Sequence, residues 1–510
     1  MSRTSKYLKN LGCALGFQAA SQLVSFFTRR IFVSILTQEY LGLDGTFSNI
    51  LSILSLAELG IGGAITYSLY RPLAQEDHRQ IRAVMALYRR VYGVVGLVVA
   101  VAGCGLTPFL PVLVRDLPGI PHIHLIYLLF VANSALSYFF VYKQSLMIAD
   151  QRQYIVTTCH YSMNILLRAL QALFLCLTQN YFVYLAIQLS STVAENLILS
   201  CRANRLYPYL KTEKAPPLAP HVKKEIVRNT RAMLFHKLGS TVVFGTDNLL
   251  ISIFVGAVQV GLYSNYLMVV NGVNSVIHQL FHTLTASVGN LGATEDTAHA
   301  VAVFRRANFA AGWIYGFATI CLTLLLNPFI ELWVGSDYLF SQELVVIIAV
   351  NFYVGGMRST VHTFRSAYGL YWHYRYAPVV ESLVNAAASA MLAVPFGVAG
   401  ILVGTVVSTM TVCFWTEPYV VFHFGFHMPV KEFFSSYGVN TLVTLLTCIA
   451  TAWCCSLMPG TGIPLFLGKL AVCAVGGNLG FLLAYFKKEE FHLLSRLLLS
   501  FLQGRLQKHD

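Results

Sequence analysis

Charged side chains are scarce in this sequence. Asp, Glu, Lys and Arg make up 11% of the chain, hydrophobic residues make up 56%, and the mean hydropathy is +0.63. A 510-residue chain so poor in charge cannot cover a water-facing surface, which excludes a soluble globular class and leaves a bilayer as the solvent. Cysteine pattern is missing too. The eleven cysteines lie nearly all in apolar stretches, include the adjacent pair Cys454–Cys455 and show no C-x-x-C spacing, so they read as small apolar fillers rather than disulfides or metal ligands. Walker A, G-x-G-x-x-G, H-E-x-x-H and D-x-D signatures are all absent, as is any long loop on the outer side. A membrane enzyme would be expected to need such a loop to hold its substrate and catalytic groups, so catalysis is not expected, and neither is a cofactor.

The apolar runs that are present divide into fourteen candidate spans: Leu11–Ile35, Gly45–Leu69, Val91–Val114, His124–Ile148, Ile155–Leu177, Phe182–Cys201, Leu234–Val255, Gly261–Val288, Phe309–Val334, Leu344–Ala367, Pro378–Val394, Ala399–Phe422, Val439–Met458 and Pro464–Phe486. Each is close to the roughly 20 residues needed to cross a hydrocarbon core. With the N-terminus in the cytoplasm, the 35 lysines and arginines sort into 26 cytoplasmic, 8 within spans and 1 external, Arg115. The reverse orientation violates the positive-inside rule, so both termini are expected in the cytoplasm. The net charge of +13 is then mostly an orientation signal, and no nucleic-acid partner is expected. The basic start MSRTSKYLKN leads into a stretch as long as a span and without an A-x-A-like site, which reads as a retained first helix.

The longest polar interruption, Cys201 to Arg231, follows the sixth span and carries four prolines and eight basic residues. The expected fold is all-α and polytopic: an N-lobe of six helices over 1–210, a cytoplasmic linker over 211–230, a C-lobe of six helices over 231–434, and two further helices with an amphipathic tail over 435–510. A weak internal echo, YLGLDGTFSNIL against QVGLYSNYLMVV, sets Gly42 and Gly261 in equivalent places and suggests parallel repeats. Two segments are amphipathic, DHRQIRAVMALYRR and EEFHLLSRLLLSFLQGRLQ, and both suit helices on the cytoplasmic leaflet; the first suits a loop helix docked on the bundle equally well.

Polar residues recur at helical spacing inside spans, which a lipid-facing helix avoids. In the tenth span Asn351, Gly355, Arg358, His362 and Arg365 share one face. Thr157, Tyr161, Asn164, Arg168 and Gln171 do so in the fifth, Gln18, Gln22, Ser25 and Arg29 in the first, and Asn271, Asn274, Ser275, His278, Gln279 and His282 in the eighth. An arginine near a bilayer centre costs at least ~2.5–3.5 kcal/mol. Each must therefore line a wet cavity, pair with an acid, or snorkel. Acids within reach of spans are Glu58, Glu195, Asp247, Glu331, Glu381 and Glu417, with Glu195 at a depth similar to Arg168. Snorkelling suits Arg30, which points about 100° away from the Arg29 stripe. Arg29, Arg30, Arg168, Lys237, Arg358 and Arg365 are the candidate cationic cavity, and guanidinium forks in one cavity would grip phosphate oxygens. Asn164, Asn271, Asn274, His278, His282, Asn351 and His362 are the candidate polar lining. His278 and His282 sit at i, i+4, but no third metal ligand can be placed, so no metal is expected.

Several stretches carry a resemblance. YLGLDGTFSNILSILSLAELGIGGAITYSLYRPLA (Tyr40–Ala74) resembles the most recognisable block of the polysaccharide-unit flippases of the multidrug/oligosaccharidyl-lipid/polysaccharide exporter superfamily. IADQRQY, DNLLISIFVGAVQVGLYSNYL, NPFIELWVGSDYL, FRSAYGLYWHYRYAPVVESLVNAAASAML, GVAGILVGTVVSTM and WTEPYVVFHFGF follow in the family's order. The resemblance implies two six-helix lobes around a cavity open alternately to either side. It also implies a cargo of polyprenyl-pyrophosphate-linked oligosaccharide moved from the inner to the outer leaflet of a bacterial cytoplasmic membrane, with membrane lipids and a coupling cation, Na+ or H+, as further partners. Multidrug relatives place an acidic coupling residue in the first helix; Leu11–Ile35 has none, so Asp247 or Glu58 is left as the candidate coupling group. A multidrug-exporter-like carrier and a membrane polymerase or ligase remain the alternatives.

Overall fold

The structure, a computed structural model, describes residues 3–55, 68–70, 72–115, 119–150, 152–212, 216–218, 246–294, 297–460 and 462–502. Among the described residues there is helix and no strand. The main elements are α1 (Arg3–Ile35), α2 (Gln38–Leu54), α3 (His78–Leu106), α4 (Ile123–Ala149), α5 (Gln153–Thr178), α6 (Tyr181–Leu206), α7 (Ala257–Thr294), α8 (Thr297–Val334), α9 (Gln342–Met357), α10 (Ser359–Ala367), α11 (Ala377–Ser408), α12 (Phe414–Val420), α13 (Lys431–Ser456), α14 (Gly462–Tyr485) and α15 (Glu489–Leu502). Wherever they are described, all fourteen expected spans are helical; the seventh is seen only over 246–254. Among the described residues, eight helices are by length and composition apolar and long enough to cross a membrane, and nine if the pair bent by 42° within α4 is one span. Contacts divide the chain into two compact units, Met1–Gly261 and Leu262–Asp510. Most of the expected 211–230 linker lies outside the described residues, as do Glu58 and Lys237.

The basic amphipathic segment around Ile81 is not a separate surface helix. It is the start of α3, capped by Asp77, whose carboxylate accepts the Gln80 N–H at 2.9 Å. Ile81, Val84 and Tyr88 are buried in one apolar core with Tyr92 and Val95 of the same helix and Leu146 and Leu199 of α4 and α6. The period that suggested a leaflet-bound face is the period of a bundle contact.

Two close backbone approaches explain glycines. In α11 the chain reverses at Gly397, which follows Pro395 closely and has φ 56°. Gly400 then lies on the Leu392 carbonyl and Gly404 on Ser389, where any Cβ would collide, so the eleventh and twelfth spans form a tight hairpin. Gly42 and Gly261, the pair in the sequence echo, face each other: a Cβ on Gly261 would sit 2.8 Å from the Gly42 nitrogen.

Candidate functional site

In the first unit the polar faces of α1 and α5 meet. Ser21 donates to the Asn164 side chain at 3.2 Å, and Thr28 donates to the Arg168 carbonyl at 3.1 Å. Arg168 extends toward α6, where its Nη1 donates to Gln171 Oε1 at 3.2 Å and to the Tyr184 hydroxyl at 3.3 Å. Gln171 is fully buried and donates to the Tyr184 carbonyl. Asp44 of α2 lies in the fields of both Arg29 and Arg168, and Tyr181 donates to it at 3.5 Å. Phe32, Tyr181 and Tyr184 pack their rings 5.2–5.9 Å apart around this group. Among the described residues, two guanidiniums act on one carboxylate here, a surplus of one positive charge. Glu195, expected as a possible partner of Arg168, pairs instead with His160 at 3.0 Å. Arg30 is exposed on another side of α1.

In the second unit the tenth span runs as one helix over Gln342–Ala367, with a single irregular turn at Arg358 between α9 and α10. Along its polar face Gly355 and His362 are exposed, whereas Arg365 is 3% exposed. Arg358 Nε lies 3.0 Å from Glu417 Oε2, and its Nη1 lies 3.3 Å from Glu381 Oε1. Arg365 Nη1 reaches the other Glu417 oxygen at 3.1 Å and stacks its guanidinium 4.1 Å over the Tyr374 ring. Tyr374 accepts from Arg358 and donates to Cys413 Sγ, which donates to Glu381 at 2.8 Å; Thr409 donates to Glu381 at 2.9 Å. Two positive and two negative charges cancel here. Isolated, each would be costly among apolar helices; paired and hydrogen-bonded, they are tolerated. π-helical turns at Thr409–Cys413 and Val421–Phe426 flank α12, which holds Glu417 and Pro418, and such turns often mark functional sites.

The other expected residues scatter around this cluster. Asn351 donates to the Leu402 carbonyl at 3.0 Å, a bond across helices. His278 lies within electrostatic reach of His362, Asn271 is exposed and Asn274 half-buried on α7. His282 is helical, with its side chain outside the described residues. Asp247 is half-buried near the start of the 246–254 helix. Among the described residues, no group of three His, Cys, Asp or Glu is placed to hold a metal. Sequence reasoning missed Asp44, because it lies one residue ahead of the predicted second span, in the first half of α2. It also missed Tyr374 and Cys413, which no periodicity marks.

Among the described residues, the many apolar helices with ion pairs between them define a polytopic helical membrane protein. The chain belongs to the polysaccharide biosynthesis protein family, whose model matches residues 7–285. Its fold is that of the MOP superfamily of flippases and transporters, as the resemblance in the sequence implied. It is similar in structure to the lipid II flippase MurJ in an inward closed conformation, with a TM-score of 0.66 and 13% identity over 92% of this chain and 99% of that one. It is also similar to an inward-facing multidrug resistance MATE family transporter of the MOP superfamily (TM-score 0.62, 13% identity, 80% and 98% covered). The Vibrio cholerae MATE transporter VcmN gives a TM-score of 0.58 at 13% identity, with 82% and 96% covered. No curated protein sequence matches the chain.

Proposed function

We propose that this protein is a flippase that moves polyprenyl-pyrophosphate-linked oligosaccharide units from the inner to the outer leaflet of a bacterial cytoplasmic membrane, supplying surface polysaccharide synthesis. The observation that carries the reading is the Arg29, Arg168 and Asp44 group: among the described residues it sets two guanidiniums against one carboxylate within the spans, in a member of a polysaccharide biosynthesis family. Such a surplus attracts an anion, and two guanidiniums suit a diphosphate. The Arg358 and Arg365 cluster supports the same reading differently. Glu381 and Glu417 stand in for solvent while no cargo is bound, and a diphosphate would take over the Arg358 fork. An apolar groove of about 490 Å³ between α7, α8 and α14, lined by Val273, Ile277, Phe317, Leu322 and Phe466 among others, offers a path for a prenyl tail.

The lobes would rock to expose the headgroup to either side, with both termini in the cytoplasm. Lys237 would add to the cationic lining, and Asp247 or Glu58 would bind a coupling Na+ or H+. A multidrug-exporter-like carrier of cations would call for an acid surplus; among the described residues the Arg29, Arg168 and Asp44 group is instead basic. A polymerase or ligase is tested directly. In a deletion strain, lipid-linked intermediates accumulate in the inner leaflet if the protein is a flippase; accumulation in the outer leaflet means that translocation precedes its step and overturns the reading.

A further inference from the structure

A second polar feature lies away from both charge clusters. Within the second unit, a cleft of about 530 Å³ opens where the first turns of α8 and α13 meet the end of α14. Its floor is aromatic: Phe304, Phe309, Phe422 and Phe433 line it and are buried, with Phe304 and Phe422 edge to face at 5.2 Å. Its rim is charged. Arg305 is held by Glu432, at 2.6 Å from Nε and 2.9 Å from Nη2, and it also feels Glu490. Lys431 and Lys488 complete the rim and are both exposed. Three cations against two carboxylates leave one positive charge. The helix ends that frame the cleft are basic, with Arg305, Arg306, Lys431, Lys487 and Lys488 in or beside them. The amphipathic α15 starts from the same place, with Phe491 stacked on Trp313 at 5.8 Å.

We propose that this cleft binds the headgroup of a glycerophospholipid bearing one net negative charge, taken from the leaflet around it. The phosphodiester would lie between Lys431 and Lys488, with its glycerol end and chains descending on the phenylalanine floor. The chemistry selects a lipid over a soluble phosphate because a small hydrophilic ion would leave that aromatic floor against water. It selects a singly anionic headgroup because one negative charge cancels the surplus, and an anionic leaflet supplies it at high local concentration. A lipid seated there bridges α8, α13 and α14 and so ties the last two spans to the rest of the second unit. Neither the cargo nor the direction of transport enters this argument.

The test uses the full-length protein in phosphatidylcholine nanodiscs doped with phosphatidylglycerol, with retained lipid counted by native mass spectrometry. Wild type is expected to keep one phosphatidylglycerol. The Lys431→Ala/Lys488→Ala double variant should retain it at least roughly tenfold less well, the factor one charge-assisted hydrogen bond supplies, and Lys431→Arg/Lys488→Arg should restore it. Single Lys431→Gln and Lys488→Gln variants carry the same reading if the double variant misfolds. Lys487 is the control: its ammonium lies over Phe486 at 5.4 Å and it does not line the cleft, so Lys487→Ala should change nothing. Undiminished retention in the lysine variants, an equal loss from Lys487→Ala, or displacement by glycerol phosphate as effective as by lipid would each overturn the proposal.

Discussion

Glu417 is the side chain on which the inner charge cluster turns, because each of its oxygens faces a different guanidinium, Arg358 on one side and Arg365 on the other. Removing one partner of a buried pair leaves the other charge uncompensated, which costs about 3–5 kcal/mol. Glu417→Gln should therefore lower the thermal midpoint in detergent more than Glu381→Gln, because Glu381 meets Arg358 alone among guanidiniums and is also held by Thr409 and Cys413. Arg358→Lys keeps the charge and cannot span Glu381, Glu417 and Tyr374 at once. It is expected to insert normally and translocate poorly in a reconstituted flipping assay. In the first unit, Arg168→Gln removes the surplus charge and should weaken binding of a diphosphate lipid about tenfold or more, since hydrogen bonds to charged groups contribute about 1.5–3 kcal/mol each. Asp44→Asn raises the surplus instead, so its binding change should be opposite in sign, as measured by lipid-diphosphate titration.

Helix geometry decides which of these residues can meet. α9 and α10 continue one span through Arg358, and its helical period sets Arg365 in the buried cluster while His362 stays exposed. Near the other side of the cluster, the Pro395–Gly397 turn sends the chain back so that residues 377–396 and 398–408 pack side by side, bringing Glu381 to Thr409 and Cys413. Gly397 has φ 56° and ψ −131°, a region open to glycine that would cost Gly397→Ala about 1–3 kcal/mol. Gly404→Val is worse placed, because its side chain would enter Ser389. Reduced expression of folded protein is expected for both, with Gly404→Val the more severe by fluorescence-detected size exclusion. The α3 start shows the complementary lesson: an amphipathic period is legible without revealing whether a leaflet or another helix covers the apolar side.

For the whole molecule, the reading of a carrier requires water at the polar faces. Gly355 is exposed, and open space surrounds the position of an added Cβ. Gly355→Cys should react with a membrane-impermeant maleimide above the level of the native cysteines, and cargo should protect it; an inert cysteine would mean that lipid covers this face. The sequence by itself determined the membrane class, the helical fold and the family, because apolar run length, helical period and ordered local motifs are properties of neighbours along the chain. It also marked Arg29, Arg168, Arg358 and Arg365 as costly and therefore in need of a partner. Only the tertiary structure decided the partners: Asp44 for the first two, and Glu381 with Glu417 for the others. Compensation of a charge depends on distance in space, and the groups that provide it here come from separate helices.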